Sequence, residues 1–85
     1  MAKFMIERNF AEALDPTKDD LNQIARINDD AGVKWLFSFL SPDKRKTYCL
    51  YEAPNADAIR QAAKLANLPA DVVIEGSDIG PDMFA

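Results

Sequence analysis

The sequence predicts one α+β domain in which four strands form an antiparallel sheet and two helices cover one of its faces. Segments with the period of strands and segments with the period of helices alternate in the order βαββαβ along the 85 residues. The chain is also short enough for one domain only, since domains typically run to about 100–150 residues. We therefore assign residues 1–80 to a single domain and residues 81–85 to a C-terminal tail.

The first half of the chain predicts a strand and then a helix. Residues 3–8 read as a strand that is apolar with polar interruptions. The Asp-Pro pair at 15–16 marks a helix start, because Asp caps free N–H groups and Pro fits the first turn. Thr17 with Asp20 is an alternative start two residues later. Gly32 ends the helix, where a left-handed residue is common. The helical stripe between these limits consists of Leu21, Ile24, Ala25 and Asn28.

Residues 33–40 are the clearest strand in the sequence. A turn at 41–44, with Pro at its second position, joins this strand to a partner over residues 47–53, which is rich in aromatic and β-branched residues. The two strands are predicted to form a hairpin. Alternation along the first of them places Leu36 and Leu40 on one face and four side chains on the other: Val33, Trp35, Phe37 and Phe39.

The remaining elements complete the predicted sheet. Asn55 is a plausible cap for an alanine-rich helix over residues 56–67, and residues 71–75 give a last strand that could continue to 79. Short, right-handed connections then place the first and third strands in the centre, with both helices on one face. This arrangement is the ferredoxin-like fold.

The sheet face without helices predicts self-association. Both faces of the strand at 33–40 are substantially apolar, whereas a face open to water normally alternates more cleanly. Pairing with the same face of a second copy is the simplest way to bury it. We therefore expect a homodimer of the dimeric α+β barrel type.

Composition and charge exclude several classes of partner. The net charge is −4, from 14 acidic and 10 basic residues, and the one basic cluster, at 44–46, falls in the predicted hairpin turn. Phosphate backbones repel such a surface, so we expect no nucleic-acid partner. No apolar run approaches the roughly 18 residues that span a bilayer, and the N-terminus meets charge too early for a signal peptide. We expect no membrane partner and a cytoplasmic location.

Few residue types in the chain can carry catalysis. The sequence has no histidine, which removes the usual general base and the usual zinc or nickel ligand. Cys49 is the single cysteine, and its position in a strand favours buried packing. We therefore assign no catalytic residue. The ligand-binding candidates are strand residues that could line a cleft for a cation or a polar small molecule: Glu7, Arg8, Tyr48, Tyr51 and Glu52.

Four segments of the chain together resemble one protein family. They are KFMIER at 3–8, YCLYEAP at 48–54, AIR at 58–60 and LPAD at 68–71. In this order they resemble a family of small bacterial proteins of unknown function, called nickel-binding-like after one member. The resemblance spans residues 3 to about 75 and implies a dimeric ferredoxin-like protein that binds nickel. Nickel favours imidazole beside carboxylates, so an all-oxygen site from Glu7 and Glu52 would suit a harder divalent cation.

The sequence leaves three functions open. The leading interpretation is a non-enzymatic, homodimeric protein that binds a small molecule or a metal ion. The first alternative is a small cofactor-free oxygenase or isomerase of the dimeric α+β barrel type, which a closed, polar-lined cavity would favour. The second is a protein-interaction module that uses the sheet face or the tail.

Overall fold

The elements of the protein follow the predicted order. The computed structural model describes residues 1–77 and 79–81. The elements are β1 (Ala2–Asn9), α1 (Lys18–Asp30), β2 (Lys34–Leu40), β3 (Lys46–Ala53), α2 (Ala56–Leu65) and β4 (Val72–Gly76). The strands form one antiparallel sheet in the order β2-β3-β1-β4. The predicted α+β, ferredoxin-like fold is confirmed, with β1 and β3 in the centre. Apart from Pro81, the predicted tail lies outside the described residues.

Thr17 caps the start of α1, and the Asp-Pro pair before it does not. The Thr17 hydroxyl accepts a hydrogen bond from the Asp20 backbone N–H at 3.1 Å, and the Asp20 carboxylate accepts one from the Thr17 N–H at 3.0 Å. This reciprocal capping box satisfies two N–H groups that a helix start leaves without partners. The predicted start at 15–16 is therefore wrong, and the alternative start is right. Gly32 has φ 75° just after the helix, as predicted.

The alanine-rich segment forms α2 with the predicted cap. The Asn55 side-chain oxygen accepts a hydrogen bond from the Ala58 N–H at 2.9 Å. The helix ends at Leu65, two residues before the predicted end, and Asn67 takes up a left-handed conformation with φ 55°. Among the described residues, no helix has the length and apolar character needed to cross a membrane.

The core lies between the sheet and the helices. β1 alternates so that Phe4, Ile6 and Arg8 are buried, and β3 pairs with it in register. Side chains from both strands, from α2 and from the residue before β2 form one cluster of buried apolar residues: Phe4, Ile6, Val33, Cys49, Tyr51, Ala53, Ile59 and Ala62. Burial of Cys49 confirms its predicted packing role.

A β-bulge in β2 overturns the predicted alternation of that strand. Trp35 pairs with Tyr51 and Phe37 pairs with Leu50, so the register shifts by one residue between them. An extra residue in one strand reverses the face of every side chain beyond it. Trp35 therefore lies on the helix-covered face, whereas Phe37 and Phe39 lie on the open face. The prediction that these three aromatic residues share one face is wrong.

Candidate functional site

The five predicted ligand-binding residues lie on opposite faces of the sheet. Glu7, Tyr48 and Glu52 lie on the open face, whereas Arg8 and Tyr51 lie on the helix-covered face. Successive residues of a strand point to opposite faces, so neighbours in sequence such as Glu7 and Arg8 are separated by the sheet. The candidates therefore do not form one cleft.

Two of the open-face candidates, Glu7 and Tyr48, lie together in a charged cluster at the surface. The Lys46 Nζ atom lies 3.5 Å from a Glu7 carboxylate oxygen and 5.9 Å from the centre of the Tyr48 ring. The Glu7 charge, followed by that of Tyr48, raises the pKa of Lys46 above its ordinary value of 10.5. A partly exposed pair of this kind contributes little to stability. This part of the predicted site is a surface ion pair.

The rest of the open face is largely apolar. By register, Glu52 stands between Lys3 on β1 and Lys34 on β2. The Phe37 and Phe39 rings meet edge to face with centroids 6.0 Å apart. Among the described residues of this face, six large side chains are more than a third exposed: Met5, Phe37, Phe39, Tyr48, Val72 and Ile74. Such a contiguous apolar surface is typical of an interaction face.

Arg8 is a buried charge with unsatisfied hydrogen-bond donors. Its side chain is only 3% exposed, and its Nε and Nη1 atoms have no hydrogen-bond partner among the described residues. Its Cζ atom lies 5.6 Å from the centre of the Tyr51 ring, a cation–π contact that offsets part of the lost hydration. Arginine cannot shed its proton in a protein, so burial without an acceptor costs several kcal/mol.

Tyr51 and Asn28 stand beside Arg8 and share its environment. Burial raises the pKa of the Tyr51 phenol above its ordinary value of 10.0, against the opposing effects of the Arg8 charge and the Asn28 side chain. Asn28, on α1, is 4% exposed, and its Nδ2 atom also has no hydrogen-bond partner in the described structure. The phenol therefore keeps its proton at neutral pH, and by hydrogen-bond geometry three buried nitrogens beside it have no acceptor among the described residues: Arg8 Nε, Arg8 Nη1 and Asn28 Nδ2.

A pocket of about 190 Å³ lies next to Arg8, between the sheet and α1. Its accessible lining is apolar, and it meets solvent where Leu21 of α1 and Leu40 of β2 are exposed. The side chains around it come from β1, β2, β3, α1 and the adjoining loops, and they include Arg8, Phe10, Leu14, Ile24, Trp35 and Tyr51. The bulge in β2 contributes to this wall, because it turns Trp35 toward the helices.

Two hydroxyl groups also line the pocket. The Ser38 Oγ atom accepts a hydrogen bond from Trp35 Nε1 at 2.8 Å, and the Thr47 Oγ1 atom accepts one from the Cys49 thiol at 3.6 Å. A hydroxyl that accepts one hydrogen bond still has its own proton to donate. Both hydroxyls lie behind the accessible lining, which is apolar. An apolar pocket with a small number of polar groups close to it is typical of small-molecule sites.

The β2–β3 hairpin holds the loop that forms one wall of the pocket. The Phe10 N–H donates to the Arg45 carbonyl at 2.8 Å, and the Leu14 N–H donates to the Lys44 carbonyl at 2.6 Å. These bonds fix a segment without helix or strand against the hairpin. The basic turn thus positions two pocket-lining residues through its backbone.

A second, larger groove lies between α1 and the end of α2. It has a volume of about 450 Å³, and residues such as Glu12, Asp20 and Leu65 line it. Its acidic side chains are exposed, and the unsatisfied nitrogens of Arg8 and Asn28 do not line it. The smaller pocket is therefore the stronger candidate site, because a buried charge stands beside it.

Sequence reasoning missed three polar residues of this region. Asn28 occupies a position of the apolar stripe of α1, and a polar residue there is the signal that could have identified it. Thr47 gave no such signal. Ser38 gave none either, because the bulge in β2 determines which face of the sheet it occupies. Arg8 and Tyr51 were identified as candidates, and the structure brings these two together.

Metal-binding side chains are dispersed over the described residues. No group of three or more Cys, Asp or Glu side chains there could hold a metal ion, and the whole sequence contains no histidine. Nickel and zinc centres are built from such groups. A nickel centre within the described part of one chain therefore does not fit these residues.

Comparison with known proteins identifies the family. The model of the family described as nickel responsive protein SCO4226-like matches residues 4–75. The crystal structure of SCO4226 from Streptomyces coelicolor A3(2) is similar, with a TM-score of 0.72 and 25% sequence identity over 93% of this chain and 100% of that chain. No curated protein is similar enough to match the sequence. The resemblance predicted from the four segments is confirmed: the protein belongs to the SCO4226-like family of nickel responsive proteins.

Proposed function

We propose that this protein is a non-enzymatic, homodimeric binding protein for a small organic molecule, which it holds in the pocket between the sheet and α1. The observation that carries the proposal is the apolar pocket of about 190 Å³ beside the buried side chains of Arg8 and Tyr51. The pocket opens to solvent beside Leu21 and Leu40, and a concave apolar surface next to a buried charge is typical of small-molecule sites.

The chemistry of the lining supports binding rather than catalysis. Arg8 and Tyr51 both hold their protons at neutral pH, so neither acts as a general base there. The accessible lining is apolar, unlike the closed, polar-lined cavity that the enzyme alternative calls for. Such a surface holds a ligand by burying its apolar body.

An organic ligand also suits this chain better than a metal ion. The family description refers to nickel, and a response to nickel needs ligands for it. The described residues offer no cluster of three candidate ligands, whereas they do offer the pocket. We therefore place the organic ligand first and keep the divalent cation as the competing outcome of the test.

The open sheet face supports the dimer. Its six exposed large side chains form an apolar surface, and charged residues of both signs surround them, including Glu7, Lys34, Lys46 and Glu52. A two-fold interface is self-complementary, so the lysines of one copy can meet the glutamates of the other. Light scattering at micromolar concentrations should give twice the mass of one chain, and a monomer would overturn this part of the proposal.

A thermal-shift experiment tests the ligand class. Metal-free protein is scanned against nickel, cobalt, zinc, magnesium and calcium, and separately against a panel of single-ring acids, amides and alcohols. A ligand of the native state at about 100 times its Kd adds about 2.7 kcal/mol to the free energy of unfolding. In a domain of this size, that stabilisation raises the midpoint by roughly 10–20 °C.

The two arms of the experiment have opposite meanings. A saturable rise with one or more organic compounds, together with a change in the fluorescence of Trp35, supports the proposed function, because Trp35 lines the pocket. A saturable rise with nickel and with no organic compound would overturn it in favour of a metal-binding role.

A further inference from the structure

We infer that the ligand of this pocket is a small monocarboxylate with a compact apolar body, and that Arg8 binds its carboxylate. The inference rests on the proposed function, since it names the chemical class of the molecule that the same pocket holds. Arg8 supplies the charge, and the apolar lining of the pocket receives the rest of the molecule.

The positive charge of Arg8 favours a negatively charged ligand. The guanidinium is buried, permanently charged, and leaves Nε and Nη1 without acceptors. A carboxylate supplies both the opposite charge and the acceptor oxygens, in a planar geometry that matches guanidinium. Both nitrogens are inaccessible in this conformation and the accessible lining of the pocket is apolar, so binding of the carboxylate requires the outer torsions of Arg8 to rotate.

Further hydrogen-bond donors lie near Arg8, and the described lining of the pocket brings no carboxylate to it. Asn28 has an unsatisfied Nδ2 donor beside Tyr51, and Thr47 pairs with Arg8 across β1 and β3. The pocket lining contains no Asp or Glu. The carboxylate nearest to Arg8 in the sequence, Glu7, lies on the opposite face and pairs with Lys46. The pocket lining therefore adds no negative charge that would repel an anion.

The volume and the apolar lining of the pocket limit the size and the polarity of the rest of the ligand. An engineered apolar cavity of about 150 Å³ holds benzene, so the pocket of about 190 Å³ accommodates one ring or a short branched chain. A multiply charged anion such as phosphate would place most of its surface against apolar side chains, and desolvating that charge is costly. The chemistry therefore favours one carboxylate over a phosphate.

Calorimetric titration of the intact protein with matched compounds tests the inference. The probes are benzoate, isovalerate, benzamide and acetate at pH 7. Benzoate or isovalerate is expected to bind and to change Trp35 fluorescence. Benzamide keeps the ring without the charge, and acetate keeps the charge without the body. Both are expected to bind at least about tenfold more weakly, because a charge-assisted hydrogen bond or a buried apolar group is lost. The stronger of the two acids shows whether the body is a ring or a branched chain.

Two arginine variants locate the carboxylate. Arg8→Met removes the buried charge with little change in volume, and such replacements are often neutral or stabilising, so this variant is expected to fold. It should weaken acid binding at least about tenfold while benzamide binding stays unchanged. Arg26→Met changes an exposed arginine on α1 and is the matched control, with acid binding unchanged.

The outcomes separate the inference from the proposed function. If benzamide binds as tightly as benzoate and Arg8→Met has no effect on either, the pocket still binds organic molecules and the carboxylate inference is overturned. If none of the ring or branched compounds binds, both are overturned. Binding of the acids that Arg8→Met leaves intact would also overturn the role of Arg8.

Discussion

The carboxylate of Asp20 reports on the cap that begins α1. Hydrogen bonds from the Thr17 backbone N–H, and then from the Thr17 side chain, lower the pKa of Asp20 below its ordinary value of 3.8. We predict that Thr17→Ala raises this pKa toward 3.8, because the hydroxyl is lost and the capping box loosens. Replacing a threonine cap by alanine also lowers the free energy of unfolding by about 1 kcal/mol. Carboxylate ¹³C NMR titration and urea denaturation measure the two effects.

Asp43 provides the internal control for that titration. Its pKa is also lowered, through hydrogen bonds from the Ser41 hydroxyl and the Arg45 N–H in the hairpin turn. Thr17→Ala should leave it unchanged, and an unmoved Asp20 pKa in the same spectra would contradict the role of the cap. Since both carboxyls have lowered pKa values in the native state, their stabilisation is present above pH 3.8 and is lost as the pH falls through the lowered values.

Single residues of the pocket show what sequence patterns can reveal. Arg8 and Tyr51 stood out as polar groups on predicted strands, and alternation alone was enough to separate Arg8 from Glu7. That Arg8 lacks acceptors could not be predicted, because it depends on which groups from α1 and β3 arrive beside it. Asn28 is a similar case. The sequence shows one polar residue within an apolar helical stripe, but that its Nδ2 atom has no acceptor among the described residues could not be predicted.

At the scale of elements, the bulge in β2 is the feature that alternation could not predict. Residues 33–40 identify a strand, but nothing in them fixes where an extra residue interrupts the pairing with β3. The interruption follows Trp35, whose indole donates to Ser38 on the same face. The result is that one aromatic residue lines the pocket and two cover the open face.

The close approach of α2 to the sheet depends on its small residues. Ala62 and Ala63 are buried where the helix packs, and Ala63 is only 4% exposed. We predict that Ala63→Leu destabilises the protein by about 1–3 kcal/mol, since extra methylene groups overpack a filled core. Ala25→Leu, on the exposed side of α1, is the matched control and should change stability by less than about 0.5 kcal/mol. Equal midpoints for the two variants in urea denaturation would show that α2 does not pack closely.

For the whole molecule, the order of elements was enough to predict the sheet. Four strand patterns and two helix patterns, with right-handed short connections, leave few arrangements, and the central position of β1 and β3 follows from them. The assembly of the pocket was less predictable. The pocket forms only because backbone hydrogen bonds hold the loop at 10–14 against the hairpin. The sequence of this loop has neither the helical nor the strand pattern. The order of the elements thus determines how the helices stack on the sheet, whereas the pocket between them depends on segments without helix or strand.

The open sheet face gives the prediction for the assembled molecule. Phe39 is 69% exposed there, at the edge strand β2. We predict that Phe39→Asp raises the dissociation constant of the proposed dimer at least about 30-fold, because an aromatic contact is lost and a charge is buried in its place. Leu65→Asp adds the same charge at a side chain that is 60% exposed on α2 and should leave the dimer intact. Sedimentation equilibrium of the unmodified protein and of the two variants measures the three dissociation constants. Equal dissociation constants for both variants would place the interface elsewhere, since both substitutions put an aspartate in place of an exposed apolar side chain.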